Sequence, residues 1–367
     1  MKFKNIFAVL LFCSLGIEIA IGQEQVNYKW WDPSKNSFPA IEGQAWPNDL
    51  AHPYDRFPAK AEHQLREVVW NKSQESAGLL LRFMSNTSQI QVRYKVKGKL
   101  AFEHMPATGV SGVDLYALDK AGKWRWAGVT YEFGDTITYH YQALGINQER
   151  EYYLYLPLYN KVSWLEIGVP DRAEFKPLPA RNKDLVVIYG TSIAQGGCAS
   201  RPGMAWTAIL GRRLKRPVVN LGFSSNGLLE KPVIDLMCGL HARIFILDCL
   251  PNMMSLPEDT VRARLIDAIH TLQSKKPVVP VLIVEHADAN MNLMDSTLDK
   301  NFKRMNVLAK SVFAELRSKG VRRIYFLSAE KIGLDQESSV DGSHPNDFGM
   351  ERYANAYAHC IRDIFKQ

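Results

Sequence analysis

A hydroxyl, an imidazole and a carboxylate together can move an acyl group through a serine. This chain of 367 residues carries all three at places suited to chemistry. Gly190-Thr191-Ser192 follows the apolar run LVVIYG (185–190), and Asp341-Gly342-Ser343-His344 stands just before a last helical stretch. A serine hydroxyl is a weak nucleophile until an imidazole takes its proton, and a carboxylate must orient that imidazole. An aspartate three residues before a histidine can reach back to Nδ1, leaving Nε2 for the serine. A tetrahedral intermediate also needs preorganised donors for its oxyanion. The backbone N–H groups of Ser192 and Ser225 and the side-chain amide of Asn252 are the candidates.

Each piece has a blander reading. A lone serine after a strand is more often a helix N-cap. An asparagine such as Asn252 more often caps a loop, and an isolated Asp-x-x-His is more often surface polarity or half of a metal site. His286 follows another apolar run and is a rival base, with Glu285 and Asp288 beside it in sequence. What separates the catalytic reading is that four such pieces occur in order, each after a strand.

The strands come from periodicity. LVVIYG, VVNLGF, IFILDC, VPVLIVE and RIYFLS are largely apolar runs, alternating with helical stretches near 203–214, 228–238, 257–274, 297–319 and 346–366. That grammar predicts a parallel sheet covered by helices on both faces. In such sheets ligands bind beyond the carboxyl ends of the strands. Upstream, from about 79 to 170, the pattern has period two. QIQVRYKV, GVDLYALD, KWRWAGV, TITYHYQAL, EYYLYLPLY and VSWLEIGV are short, aromatic and β-branched, with turn residues between them. This predicts an antiparallel β-sandwich. The stretch before it, with Trp30, Trp31, Pro39, Trp46 and Pro47, is expected either to wrap the sandwich or to bridge to the second domain.

Residues 1–22 read as a signal peptide: Lys2 and Lys4, an apolar segment from Ile6 to Leu15, then Ala20-Ile21-Gly22 before Gln23. The expected division is therefore leader 1–22, sandwich 23–180 and α/β domain 181–367, with the protein secreted or periplasmic. The net charge of +7 becomes +6 when the leader's two lysines and one glutamate go. Basic residues are scattered, so a nucleic-acid role is not expected. No stable membrane anchor is expected, and the oligomeric state stays open. Cys198, Cys238, Cys249 and Cys360 have neither CxxC spacing nor a framework pattern, so free thiols are expected and no metal or other cofactor.

The wording of these blocks resembles one branch of the SGNH (GDSL-like) hydrolase superfamily. YGTSIAQGGCASRPGMAW (189–206), NLGFSSNG (220–227), DCLPNM (248–253) and DGSHPNDFGM (341–350) resemble its four blocks. SGVDLY (111–116) resembles the Gly-x-Asp-Leu-Tyr signature of the β-sandwich preceding the catalytic domain in that branch. The resemblance implies a flavodoxin-like three-layer domain after a jelly-roll-like sandwich. It implies Ser192 as nucleophile, His344 as base and Asp341 as its partner. Two departures stand out. Thr191 replaces the aspartate of the GDSL name, and Ser225 occupies the place of the second-block oxyanion glycine. A serine keeps the N–H donor provided the backbone does not need φ > 0; otherwise Gly222 or Gly227 is the turn former. Gly222, Gly227 and Arg201 are also candidate substrate contacts, Arg201 competing with a plain helix entry. Asp114 reads as a structural residue before a substrate contact.

The expected function is hydrolysis of a carboxylic ester, with O-acetylated carbohydrate as substrate. Export and the aromatic-rich sandwich motivate the carbohydrate. An acyltransferase, or a lipid or thioester hydrolase, of the same fold remains open. So does a carbohydrate-binding protein whose hydrolase domain is inert.

Overall fold

The structure, a computed structural model, describes residues 26–145, 148–287 and 296–366. The expected signal peptide lies outside these residues. Two antiparallel five-strand paths come first. One runs Tyr28–Trp31, Lys161–Pro170, Ile90–Lys97, Ile137–Tyr141, Val129–Glu132. The other runs Phe175–Pro177, Leu80–Ser85, Arg150–Tyr155, Asp114–Leu118, Trp124–Trp126, with Ile41–Glu42 added beside Leu80–Ser85. Leu81, Phe83, Leu115, Tyr152 and Leu154 from the second path meet Val92, Tyr94, Tyr139 and Ile167 from the first in one buried cluster. The expected sandwich is there.

Five parallel strands follow, in the spatial order Val218–Gly222, Leu185–Gly190, Ala242–Asp248, Val281–Val284, Ile324–Leu327. Numbered along the chain this is 2-1-3-4-5, the flavodoxin-like order, whose switch point lies at the end of the first strand. Ser192 follows that strand. Helices Trp206–Leu214 and Asp347–Lys366 contribute to the core on one face, with Trp206, Tyr353 and Tyr357 buried among them. Helices Lys231–Met237, Glu258–Lys275 and Ser296–Ser318 contribute to the other. No helix among the described residues is long and apolar enough to cross a membrane.

The two halves share core. Along Arg150–Tyr155, Tyr152 and Leu154 face the sandwich interior, while Tyr153 and Tyr155 join Trp206, Ala208 and Ile209 of the α/β half. The aromatic run is therefore buried on both sides, and its tyrosines are no surface platform. The signature SGVDLY works at the same seam. A Cβ on Gly112 would stand 2.3 Å from the Thr108 carbonyl oxygen. The buried Asp114 accepts from the Arg201 guanidinium at 2.5 Å, the Gly203 N–H at 2.9 Å and the Trp126 indole at 2.7 Å. Tyr116 packs so closely that a Cβ on Gly203 would meet its ring at 2.3 Å.

The segment before the sandwich does wrap and bridge. Phe57, Val69 and Trp70 pack into the α/β core against the second-strand side. Arg56 is fully buried there. It donates to the carbonyls of Lys72 (2.7 Å), Glu75 (2.8 Å), Asn220 (3.0 Å) and Gly222 (2.8 Å), with its guanidinium over the Phe223 ring. Burial pulls its pKa down to about 10, against the opposing pull of Glu75, so the cation persists at neutral pH. Replacing Arg56 by Met would leave four carbonyls buried without their donor. The expected loss is at least about 3 kcal/mol of unfolding free energy, read from urea titration; a loss below about 1 kcal/mol would show that the second strand is held by other means.

Candidate active site

Ser192 opens a one-turn helix, Ser192–Gln195, directly beyond the first parallel strand. Thr191 caps that turn, its hydroxyl accepting weakly from the Ile193 N–H at 3.4 Å. The turn is tight because nothing else fits. A Cβ on Gly190 would stand 2.6 Å from the Ala194 Cβ and 2.9 Å from the Asp248 carbonyl oxygen. Gly196, with φ +114, ends the turn. Gly197 then brings the chain so near His344 that a Cβ would lie 3.1 Å from its Cδ2.

Asp341 and His344 lie on a loop tied to itself. The Ser339 hydroxyl donates to the His344 carbonyl at 3.0 Å, and the N–H groups of Ser343 and His344 donate to Asp341 Oδ1 at 3.0 and 2.7 Å. Asp341 Oδ2 is 2.7 Å from His344 Nδ1, and His344 Nε2 is 2.7 Å from Ser192 Oγ. Partial burial works against ionisation of Asp341, but the hydrogen bonds from His344 and Ser343 outweigh it and hold the carboxyl below its ordinary range. With Nδ1 committed to the carboxylate, Nε2 can accept from the serine hydroxyl.

The second loop rests on the first. The Phe223 N–H donates to the Gly190 carbonyl at 3.1 Å, and the Ser224 N–H to Gln195 Oε1 at 2.8 Å. Gly222 is pressed on the Ser192 turn, where a Cβ would meet the Gln195 nitrogen at 2.2 Å. Gly227, with φ +81, abuts the Gly190 carbonyl, whose oxygen a Cβ would meet at 2.3 Å. Both are buried against backbone, so the substrate contact expected of them is not there: they are packing glycines. Ser225 does have positive φ, +58, so the backbone there is left-handed and the serine accommodates it. Asn252 donates through Nδ2 to the Asn226 carbonyl at 2.6 Å, which uses one of its two amide hydrogens and fixes the group beside this loop.

Two other candidates move. Arg201 is bound to Asp114 and to the Tyr116 hydroxyl at 2.8 Å, with Trp126 stacked at 4.5 Å. Its charge is already met at the domain seam, so it is no free receptor for an acidic substrate. His286 is buried, with Phe302 at 4.0 Å and neither ring nitrogen hydrogen-bonded among the described residues. Burial, reinforced by nearby His344, pushes its pKa down to about 3. Glu285 caps the Ala329 N–H at 2.8 Å instead of orienting it, and Asp288 lies outside the described residues. His286 is thus a neutral core histidine.

Sequence reasoning missed the braces around this site. Arg66 grips Glu230 and donates to Asn226 Oδ1 at 2.7 Å, and the Tyr189 hydroxyl donates to Glu230. Tyr159 of the sandwich half donates to the Ser192 carbonyl at 3.2 Å. Asp248, fully buried, accepts from Tyr357 at 2.9 Å, and burial pushes its carboxyl up to about 6. Cys198, Asp341 and His344 have ligand atoms within 4.8 Å of one another, close enough to share a metal ion. A metal there would compete with the Asp341–His344 bond, and burial together with the Asp341 charge pushes the Cys198 thiol up to about 12, favouring its neutral form. The four cysteines among the described residues, Cys198, Cys238, Cys249 and Cys360, are free.

The profile of the GDSL-like lipase/acylhydrolase family matches residues 183–362, and that of the N-terminus of SGNH-hydrolase-type esterases, named GxDLY, matches residues 28–175. No curated protein matches the chain. Among solved structures, a candidate GDSL-like lipase from Bacteroides ovatus is 31% identical, with TM-score 0.84 over 93% of this chain and 98% of that one. A salicylyl-acyltransferase from a tetracycline biosynthetic pathway is 17% identical, with TM-score 0.73 over 92% and 98%. A family two carbohydrate esterase from Cellvibrio japonicus is 12% identical, with TM-score 0.58 over 93% and 98%.

The left-handed Ser225 offers a direct probe of this loop. A non-glycine residue there costs about 1 kcal/mol, and glycine gives back a similar amount as backbone entropy. Ser225→Gly is therefore expected to keep stability within about 1 kcal/mol and kcat within about twofold. Ser225→Val, β-branched at positive φ, is expected to lose at least tenfold in kcat. Esterase assays with thermal unfolding check both; a glycine variant as slow as the valine variant would give the serine side chain the role assigned to the backbone.

Proposed function

The chain belongs to the GDSL-like lipase/acylhydrolase family and is an SGNH-type esterase, and on that footing we propose that it is exported and removes short acyl groups, acetyl first, from carbohydrate. The observation that carries the reading is the unbroken chain Ser192 Oγ to His344 Nε2 to Asp341, each link 2.7 Å. In this reading Ser192 attacks the ester carbonyl while His344 takes its proton. The N–H groups of Ser192 and Ser225 and the second hydrogen of the Asn252 amide hold the oxyanion. Collapse expels the alcohol, which receives the proton back from His344, and leaves an acyl-serine. Water, activated by the same histidine, then releases the acid and restores Ser192.

The leader-like residues 1–22 support export, where polysaccharide esters are accessible. A family two carbohydrate esterase among the structural neighbours fits the substrate class, although at 12% identity the likeness itself is one of fold. The same acyl-serine can pass its acyl group to an alcohol in place of water, so transfer to added sugars is the competing outcome to measure.

The mature protein is expected to cleave p-nitrophenyl acetate faster than the butyrate and to release acetic acid from an acetylated polysaccharide. Ser192→Ala and His344→Ala are expected to lose a thousandfold or more in kcat, and Asp341→Asn somewhat less. Preference for long acyl chains, or faster transfer than hydrolysis, would replace the deacetylase reading; full activity in Ser192→Ala would remove the serine mechanism itself.

A further inference from the structure

One loop of the sandwich half reaches the catalytic histidine. Phe102 and Met105 exchange backbone hydrogen bonds of 3.0 and 3.1 Å, leaving Glu103 and His104 at the tip. Met105 is buried in the core shared by the two halves. The short helix after it, Ala107–Val110, sits on the nucleophile loop: Thr108 Oγ1 donates to the Ser200 carbonyl at 2.7 Å, and a Cβ on Gly109 would come within 2.3 Å of the Ala199 carbonyl oxygen. Phe102 stands edge-on to Tyr159 at 5.8 Å, the tyrosine that bonds the Ser192 carbonyl. His104 lies nearly parallel to Phe102 at 6.0 Å, and its exposed ring is 6.1 Å from that of His344.

This placement has a chemical consequence. The proton that His344 Nε2 takes from Ser192 goes to the alcohol oxygen as the ester bond breaks, so that oxygen must lie at the edge of the His344 ring. Whatever borders the ring on the solvent side borders the departing alcohol. We propose that the loop Phe102–Met105 forms the leaving-group subsite, and that His104 selects hydroxylated alcohols by hydrogen bonding to a hydroxyl beside the ester oxygen. An imidazole offers one donor and one acceptor in its neutral form and suits a hydroxyl in either role. The flanking Phe102 ring gives the carbon face of a sugar something to lie against. The inference rests on the esterase reading above and names the part of the substrate that this site recognises.

The test uses the full mature chain with two acetates: ethyl acetate, whose alcohol has no other hydroxyl, and a monoacetylated methyl xyloside. The quantity read is the ratio of their kcat/KM values, which cancels differences in active fraction. In His104→Ala the xyloside-to-ethyl ratio is expected to fall about fivefold, the worth of one partly exposed hydrogen bond. His104→Gln, which restores a donor and an acceptor, is expected to recover at least half of that. A ratio unchanged in the alanine variant, or equally low in both variants, overturns the proposal. So does a wild-type enzyme that cleaves ethyl acetate through Ser192 but not the xyloside. Ser192→Ala, assayed on ethyl acetate alongside, reports separately on the serine mechanism; persistence of its activity would overturn that reading and this inference with it.

Discussion

The bond between Ser192 Oγ and His344 Nε2, 2.7 Å long, joins residues 152 apart in the chain, and most of the α/β half is arranged so that it can form. Its constraint is steric before it is electrostatic. The turn after the first strand, the loop after the second and the loop before the last helix must come close together. Gly222 and Gly227 press the second loop on the first at backbone contact, and Gly197 brings the first so near the His344 ring that a Cβ would lie 3.1 Å from it. The 2-1-3-4-5 strand order puts Ser192 at the switch point, where the crossovers diverge and leave the strand end open.

The sandwich is part of this machine. Asp114 is buried, which raises its pKa, and Arg201 opposes that shift by holding its charge. Removing either partner would strand a charge at the seam. Arg56 and Arg66 reach from the segment before the sandwich to the carbonyls and the asparagine that shape the second loop. Tyr159 supports the carbonyl of Ser192. The N-terminal half therefore helps to set the position of the second loop and of Ser192.

Much of this was legible in the sequence, and the reasons are local. Largely apolar runs such as LVVIYG and IFILDC, alternating with helical stretches, point to buried parallel strands, and the candidate reactive residues fell just past them. The Asp341-x-x-His344 spacing dictated its own hydrogen bond. What was not legible depends on contacts between distant segments. Leu80–Ser85 did not stand out as a strand, although it pairs on both sides and buries Leu81 and Phe83. The burial of Tyr153 and Tyr155 against the α/β half was not legible either, because period two cannot tell a solvent face from a face covered by another domain. Arg201 read as a possible substrate contact because its partner, Asp114, lies 87 residues away. His104 carried no motif at all; only the seating of its loop on residues 199–200 brings it to the triad.

Covalent capture tests the serine assignment most directly. The mature protein would be incubated with an activated alkyl phosphonate and the adduct located by mass spectrometry while residual esterase activity is followed. The account predicts one adduct per chain, on Ser192, appearing in step with loss of activity and much more slowly in His344→Ala. Full phosphonylation of Ser192 with activity intact, or inactivation with the adduct on another residue, would contradict it.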